Sequence, residues 1–140
     1  MERRHFVVLA GIGGIALIAG GGYFASMEPA GAGYEHRPLT AADLTEGDAL
    51  VVDIRRPEEW AETGVVEGSM LFTFTTADRF LAQVSGELSD GRDLVLICRT
   101  GNRTQAAADA LAGQIPNRIV SVEGGITRII SDGYQTVKPR

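Results

Sequence analysis

The chain has 140 residues, a length that fits one domain, and its 13 Lys and Arg against 18 Asp and Glu leave a formal net charge of −5. That acidic balance, with no basic tract, argues against a nucleic-acid partner, which needs a cationic face to neutralise phosphates. Cys98 is the single cysteine, and His5 and His36 are the two histidines; an internal disulfide and a cysteine zinc cluster are therefore impossible, and no metal site of protein ligands alone is expected.

The N-terminal segment reads as an address. Residues 6–25 (FVVLAGIGGIALIAGGGYFA) carry no charge, and an apolar helix of about 20 residues is what a bilayer crossing needs. Arg3 and Arg4 precede it, which by the positive-inside rule leaves that end in the cytoplasm and everything after Ala25 outside. Two readings stay open. A retained helix would hold the protein to the membrane through residues 6–25. A cleaved signal would use Ala30-Gly31-Ala32 as its small-residue site and release Gly33 to Arg140. The start from Glu2 to Val8 also resembles a twin-arginine export signal, with Glu2 where Ser or Thr is usual. Either reading implies a periplasmic or otherwise extracytoplasmic location. Gly11-Ile12-Gly13-Gly14-Ile15-Ala16 matches a dinucleotide-binding pattern, but no strand, helix and acid follow at the required places, so it belongs to a Gly-rich signal core. The expected division is thus residues 1–32 as signal or anchor with linker, and residues 33–140 as the folded domain; Glu28 to Glu35, rich in Gly, Pro and Ala, reads as linker.

Beyond it, short apolar runs alternate with amphipathic stretches. Thr40 offers an N-cap to a first helix. Ala49 to Ile54 reads as a buried strand, followed by a helix opened by Pro57 and carrying Glu58, Glu59 and Trp60. A weaker strand at Ser69 to Phe72 precedes a helix over Ala77 to Val84. Asp93 to Cys98 is the strongest strand, Arg103 to Leu111 an alanine-rich helix, Arg118 to Val122 a further strand, and Gly125 to Ser131 a last helix closed by Gly133. Continuous rather than alternating apolar runs suit strands covered on both faces. The expected fold class is therefore α/β, a central, mainly parallel β-sheet flanked by helices and preceded by the N-terminal apolar helix.

In such sheets ligands bind beyond the carboxyl ends of the strands, and Cys98 stands at such an end. The segment Cys98-Arg99-Thr100-Gly101-Asn102-Arg103-Thr104 runs from strand end to helix start. Its backbone N–H groups can curl around a sulfur or an oxyanion, and the helix N-terminus adds positive potential. Arg99 and Arg103 add full charges, and the combination favours thiolate over thiol at Cys98. Gly101 permits the turn, and Thr104 is placed to cap the helix or to offer its hydroxyl to the bound sulfur. Asn102-Arg103-Thr104 also spells a glycosylation sequon, which in this loop reads as accidental.

This loop resembles the active-site loop of the single-domain rhodanese family: Cys, four residues, then Arg and Ser or Thr. The resemblance runs from about Pro38 to Val137. It includes Asp53-Ile54-Arg55 with Pro57-Glu58-Glu59-Trp60, the turn from Gly64 to Ser69, and Gly124-Gly125 followed by Gly133-Tyr134. Val65, Glu67, Ile129 and Gln135 depart from the usual residues at packing and turn positions.

The resemblance implies a rhodanese-like fold and a two-step sulfurtransferase reaction without a cofactor. Cys98 takes the outer sulfur of a small anionic donor such as thiosulfate, and the resulting persulfide passes it to cyanide or a thiol, including a protein thiol. Arg99, Thr100, Gly101, Asn102, Arg103 and Thr104 would then form the donor site. Asp53 and Arg55 would support it or act as an ion pair tying two loops together. No histidine base is needed if the loop holds Cys98 ionised. Two other functions are weighed against this one. A sulfur carrier or partner-docking module would use the same fold without small-molecule turnover. A cell-cycle-type phosphatase would use a similar cradle with one residue more between Cys and Arg.

Overall fold

The computed structural model describes residues 33–140, so the expected apolar helix at residues 6–25 and the signal or anchor reading lie outside the described residues. Ten elements follow one another: β1 (Glu35–Arg37), α1 (Ala41–Thr45), β2 (Leu50–Asp53), α2 (Pro57–Thr63), β3 (Met70–Leu71), α3 (Ala77–Val84), β4 (Leu94–Ile97), α4 (Asn102–Leu111), β5 (Ile119–Val122) and α5 (Gly125–Ser131). The strands form one sheet in the order β1-β5-β4-β2-β3, every pair parallel. An isolated antiparallel bridge between Val65 and Val137 ties the chain's end to the loop after α2.

The central strands β2, β4 and β5 are buried throughout, and their side chains alternate between two cores as the pleat requires. Leu50, Val52, Leu94, Leu96 and Ile119 face α3 and α4, meeting Phe80, Val84, Ala107, Ala108 and Leu111. Val51, Val95, Ile97, Val120 and Val122 face the other way, onto Leu44 of α1 and Ile126 and Ile129 of α5. Covering both faces explains why the strands read as unbroken apolar runs. Local signals set the helix starts. Thr40 and Asp43 form a reciprocal capping box at α1, and Pro57 opens α2 where its missing N–H costs nothing.

One element departs from expectation. Glu35, assigned above to the linker, begins β1, which pairs in parallel with β5: Glu35 opposite Val120, His36 opposite Ser121, Arg37 opposite Val122. Three polar residues carry no apolar period, and short charged strands are usual at sheet edges. The strand exists because β5 offers an unpaired edge, a fact of tertiary structure. Among the described residues no helix is long and apolar enough to cross a membrane.

Candidate active site

The loop after β4 leaves the centre of the sheet at the carboxyl end. Cys98, expected as the strand's last residue, is the first residue after it, and its side chain shares the α3/α4 face with Leu94 and Leu96. It is 1% exposed. The Gly101 N–H donates to Cys98 Sγ at 3.1 Å, and Thr104 Oγ1 lies 3.6 Å from the same sulfur. The loop therefore turns around the sulfur with a backbone donor aimed at it, at the first turn of a ten-residue helix whose N-cap is Gly101. Gly101 has φ +100°, and a Cβ there would lie 3.0 Å from the Val122 carbonyl and 3.2 Å from the His36 ring.

Thr104 does not cap α4 through its side chain. It is fully buried and spans the loop, with its hydroxyl donating to the Gly101 carbonyl at 3.0 Å. The loop is also held from behind. The first N–H groups of α5 are donated to it, Ile126 N–H to the Cys98 carbonyl at 2.8 Å and Thr127 N–H to the Arg99 carbonyl at 3.1 Å. Gly125 makes this approach possible: at φ +56°, a Cβ there would collide with the Cys98 carbonyl. The Gly124-Gly125 pair thus serves the active-site loop from 26 residues away.

The two arginines of the loop are committed to carboxylates. Arg103 places a two-pronged fork on Glu59 of α2, Nη1 to Oε2 at 2.8 Å and Nη2 to Oε1 at 2.7 Å. Arg99 Nε reaches the same carboxylate at 3.3 Å, and its Nη2 reaches Glu62 at 2.9 Å. Glu59 also accepts the Arg56 N–H at 3.1 Å, closing the start of α2. Chiefly through the Arg103 hydrogen bonds, with burial opposing, the Glu59 carboxyl is pulled down to about 2 from its ordinary 4.5. Arg103 is raised in turn, first by its bonds to Glu59, and Arg99 is raised first by Glu62. Arg99 and Arg103 keep their full charges, but each is paired, so Glu59 and Glu62 offset the cationic rim. Thr100 and Asn102 place exposed side chains on the outside of the turn.

Asp53 and Arg55 prove to be a buried pair, both side chains 0% exposed. Arg55 Nη2 meets Asp53 Oδ2 at 2.8 Å and the Gly64 carbonyl at 3.0 Å, while Nη1 donates to Thr63 Oγ1 at 2.8 Å and more distantly to the Glu59 carbonyl. Asp53 also accepts the Trp60 indole N–H at 3.1 Å. Every donor direction of Arg55 is used inside the β2–α2 corner, so the pair secures α2, which in turn carries Glu59 to the loop. The hydrogen bonds of the pair stay within the β2–α2 corner, and none reaches the Cys98 loop.

Three residues at the site were not singled out by the sequence. Glu59 reads as part of a helix, Ser121 as part of a strand, and His36 only as one of two histidines, too few for a metal site. Ser121, fully buried on β5, donates to Thr104 Oγ1 at 2.8 Å, and His36 Nδ1 lies 2.9 Å from Ser121 Oγ. These residues lie 39, 23 and 62 positions from Cys98, and no local pattern marks them. Next to the loop a cavity of about 610 Å³ is lined by Ile54, Phe74, Ala106 and Ala107 with Arg103 and Glu59 at its rim. Among the described residues no cluster of His, Cys, Asp or Glu is placed to hold a metal ion.

Against this geometry, comparison with known proteins is decisive. Residues 39–132 match the model of the rhodanese-like domain. The chain belongs to the rhodanese-like domain family. It is similar to the thiosulfate sulfurtransferase GlpE of Pseudomonas syringae pv. syringae, 32% identical over 88 residues that span 63% of this chain and 78% of that protein. A sulfurtransferase of Allochromatium vinosum is 32% identical over 92 residues, 66% of this chain and 81% of its own. Among solved structures, a rhodanese-related protein of Thermoplasma volcanium superposes with a TM-score of 0.56 at 32% identity, covering 74% of this chain and 99% of the other. Family membership makes this rhodanese domain a sulfurtransferase-like enzyme, and the parallel sheet flanked by helices over residues 33–140 is the α/β fold expected from the sequence.

Proposed function

We propose that the protein moves a sulfane sulfur from an anionic donor, thiosulfate, through a Cys98 persulfide to a thiophilic acceptor such as cyanide or a thiol, protein thiols included. The observation that carries this reading is the aim of the Gly101 N–H at the Cys98 sulfur, at the head of α4, in a chain of the rhodanese-like family. In the first step the Cys98 thiolate attacks the outer sulfur of thiosulfate. The S–S bond of the donor breaks, sulfite leaves with its electron pair, and a persulfide anion remains on Cys98. In the second step the acceptor attacks the outer sulfur of that persulfide, and the Cys98 thiolate leaves. Splitting the transfer in two gives each step a good leaving group. Loop N–H groups and the α4 terminus stabilise the charge that stays on sulfur throughout. A donor entering the site must share Arg99 and Arg103 with Glu59 and Glu62.

The relatives named thiosulfate sulfurtransferase support thiosulfate as donor. The spacing of four residues between Cys98 and Arg103 supports sulfur over phosphate as the occupant. For location, the uncharged run at residues 6–25 behind Arg3 and Arg4 supports an extracytoplasmic domain of residues 33–140, delivered by a signal or held by an anchor.

The test is made on the full-length chain. Thiosulfate alone should add the mass of one sulfur to the intact protein, thiosulfate with cyanide should yield thiocyanate, and Cys98→Ser should abolish both. A folded wild-type protein that neither gains sulfur nor turns over overturns the thiosulfate reading. The mass of the protein recovered from the producing cell's envelope, full-length or beginning at Gly33, decides between anchor and signal.

A further inference from the structure

A continuous line of hydrogen-bonding groups leads from the catalytic sulfur to the edge of the sheet. Cys98 Sγ is 3.6 Å from Thr104 Oγ1, Thr104 Oγ1 is 2.8 Å from Ser121 Oγ, and Ser121 Oγ is 2.9 Å from His36 Nδ1. Cys98, Thr104 and Ser121 are 1%, 0% and 0% exposed, whereas the His36 ring is only partly buried. The wire crosses α4, β5 and β1, and it exists because the β1–β5 register sets His36 opposite Ser121. The His36 ring also rests on the active-site loop, close to Gly101.

Each hydroxyl has one hydrogen and can accept as well as donate, so such a wire can be polarised in either direction. With an imidazolium at its end, Nδ1–H donates to Ser121 and Ser121 to Thr104, and the single Thr104 hydrogen, which otherwise goes to the Gly101 carbonyl, turns to a thiolate. With a neutral imidazole accepting at Nδ1, the hydroxyls point outward and the thiol donates to Thr104. The protonation of His36 and that of Cys98 are thereby coupled through two buried hydroxyls. On the strand of His36, Glu35 pairs with Arg37 and Arg118. From β5 His36 faces Ser121, with Glu123 beyond the strand's end giving its N–H to the Arg37 carbonyl. From the loop it faces Gly101.

We propose that His36 is a positioning residue that receives the Cys98 proton through Thr104 and Ser121, so that the buried resting thiol is converted to the attacking thiolate. The Cys98 S–H bond breaks as Thr104 gains that hydrogen, Thr104 passes its own to Ser121, and Ser121 passes its own to Nδ1. Thiolate and imidazolium result, and no other reactant is consumed. The proposal rests on Cys98 being the sulfur-carrying nucleophile, but its test needs no sulfur donor.

Because Cys98 is the sole cysteine, alkylation of the full-length chain by uncharged iodoacetamide reads this thiol alone. Its rate is followed against pH in the wild type, His36→Gln, Ser121→Ala and the double variant, with thermal unfolding as a check on the fold. Gln retains a hydrogen bond to Ser121 but takes up no proton. Each single variant should shift the rise in rate to higher pH, slowing alkylation near neutrality about tenfold, the equivalent of one pH unit, and leaving the limiting alkaline rate unchanged. The double variant should add nothing further, since a wire cut once is cut. An unshifted profile in His36→Gln overturns the proposal, as does a loss uniform over pH, which marks a structural tie only. If Ser121→Ala fails to fold, His36→Gln decides. A shifted profile in a protein that thiosulfate cannot load would retain the proton path and defeat the thiosulfate reading. Sulfur loading with an unshifted profile would do the reverse.

Discussion

Two arginine–carboxylate pairs stand on either side of α2, and they behave as different devices. Asp53–Arg55, at the start of the helix, is wholly buried and has a protein partner in every direction. Glu59–Arg103, on the outer face, is a fork of similar length, but Arg103 is 43% exposed while Glu59 is 11% exposed. The first ties the end of β2 to the connection that leads into α2, and the second ties α2 to α4. The first has no access to water, so losing either member strands the other charge in a medium that cannot solvate it. The second can exchange its partner for water or for an incoming anion. Burial, rather than the chemistry of the pair, separates a clamp from an adjustable rim.

The largest effect that would test this contrast is at the clamp. Arg55→Ala should cost about 3–5 kcal/mol by leaving Asp53 uncompensated, seen as a much lower urea midpoint. A loss under about 1 kcal/mol would mean that the buried pair is no different from a surface one. Gly125→Ala comes next, because its Cβ meets the Cys98 carbonyl and its backbone lies at φ +56°. It should cost about 1–3 kcal/mol and slow sulfur loading of Cys98 more than it lowers stability. Intact loading would show that the loop does not depend on this contact.

Glu59→Gln should cost about 1–2 kcal/mol at neutral pH, less than a buried pair because Arg103 is half solvated. The pH dependence has a definite sign. The folded carboxyl is depressed to about 2 from 4.5, so its contribution is complete above about 4.5 and disappears as pH falls towards 2. The stability difference between wild type and Glu59→Gln should therefore close over that window and shrink with added salt. A difference independent of pH would show that the carboxylate charge is not what counts. The smallest effect belongs to Glu35–Arg118, exposed at the sheet edge. Arg118→Ala should change stability by about 0–1 kcal/mol, and a larger loss would mean that β1 depends on this pair for its place.

The sequence by itself determined the order of strands and helices after the first edge strand and the α/β class, and it drew attention to Cys98. Those features are written in local terms: apolar runs such as Leu94 to Ile97, capping at Thr40, proline at Pro57, and Cys98 followed by a glycine-bearing loop and a helix start. Even element ends fell within a residue or two, because burial on both faces leaves continuous hydrophobic segments with polar borders. What only the tertiary structure decided is which distant groups meet that loop. Glu59 reaches Arg103 because the Asp53–Arg55 clamp sets α2 beside α4. Gly125 matters because α5 docks its first N–H groups on the Cys98 carbonyl. His36 lies next to Ser121 because an edge strand of three polar residues found the open side of β5. None of these has a periodic signature, since side chains that meet across a sheet or between helices are selected by proximity in space, and residues far apart in the chain leave no local pattern from which that proximity could be read.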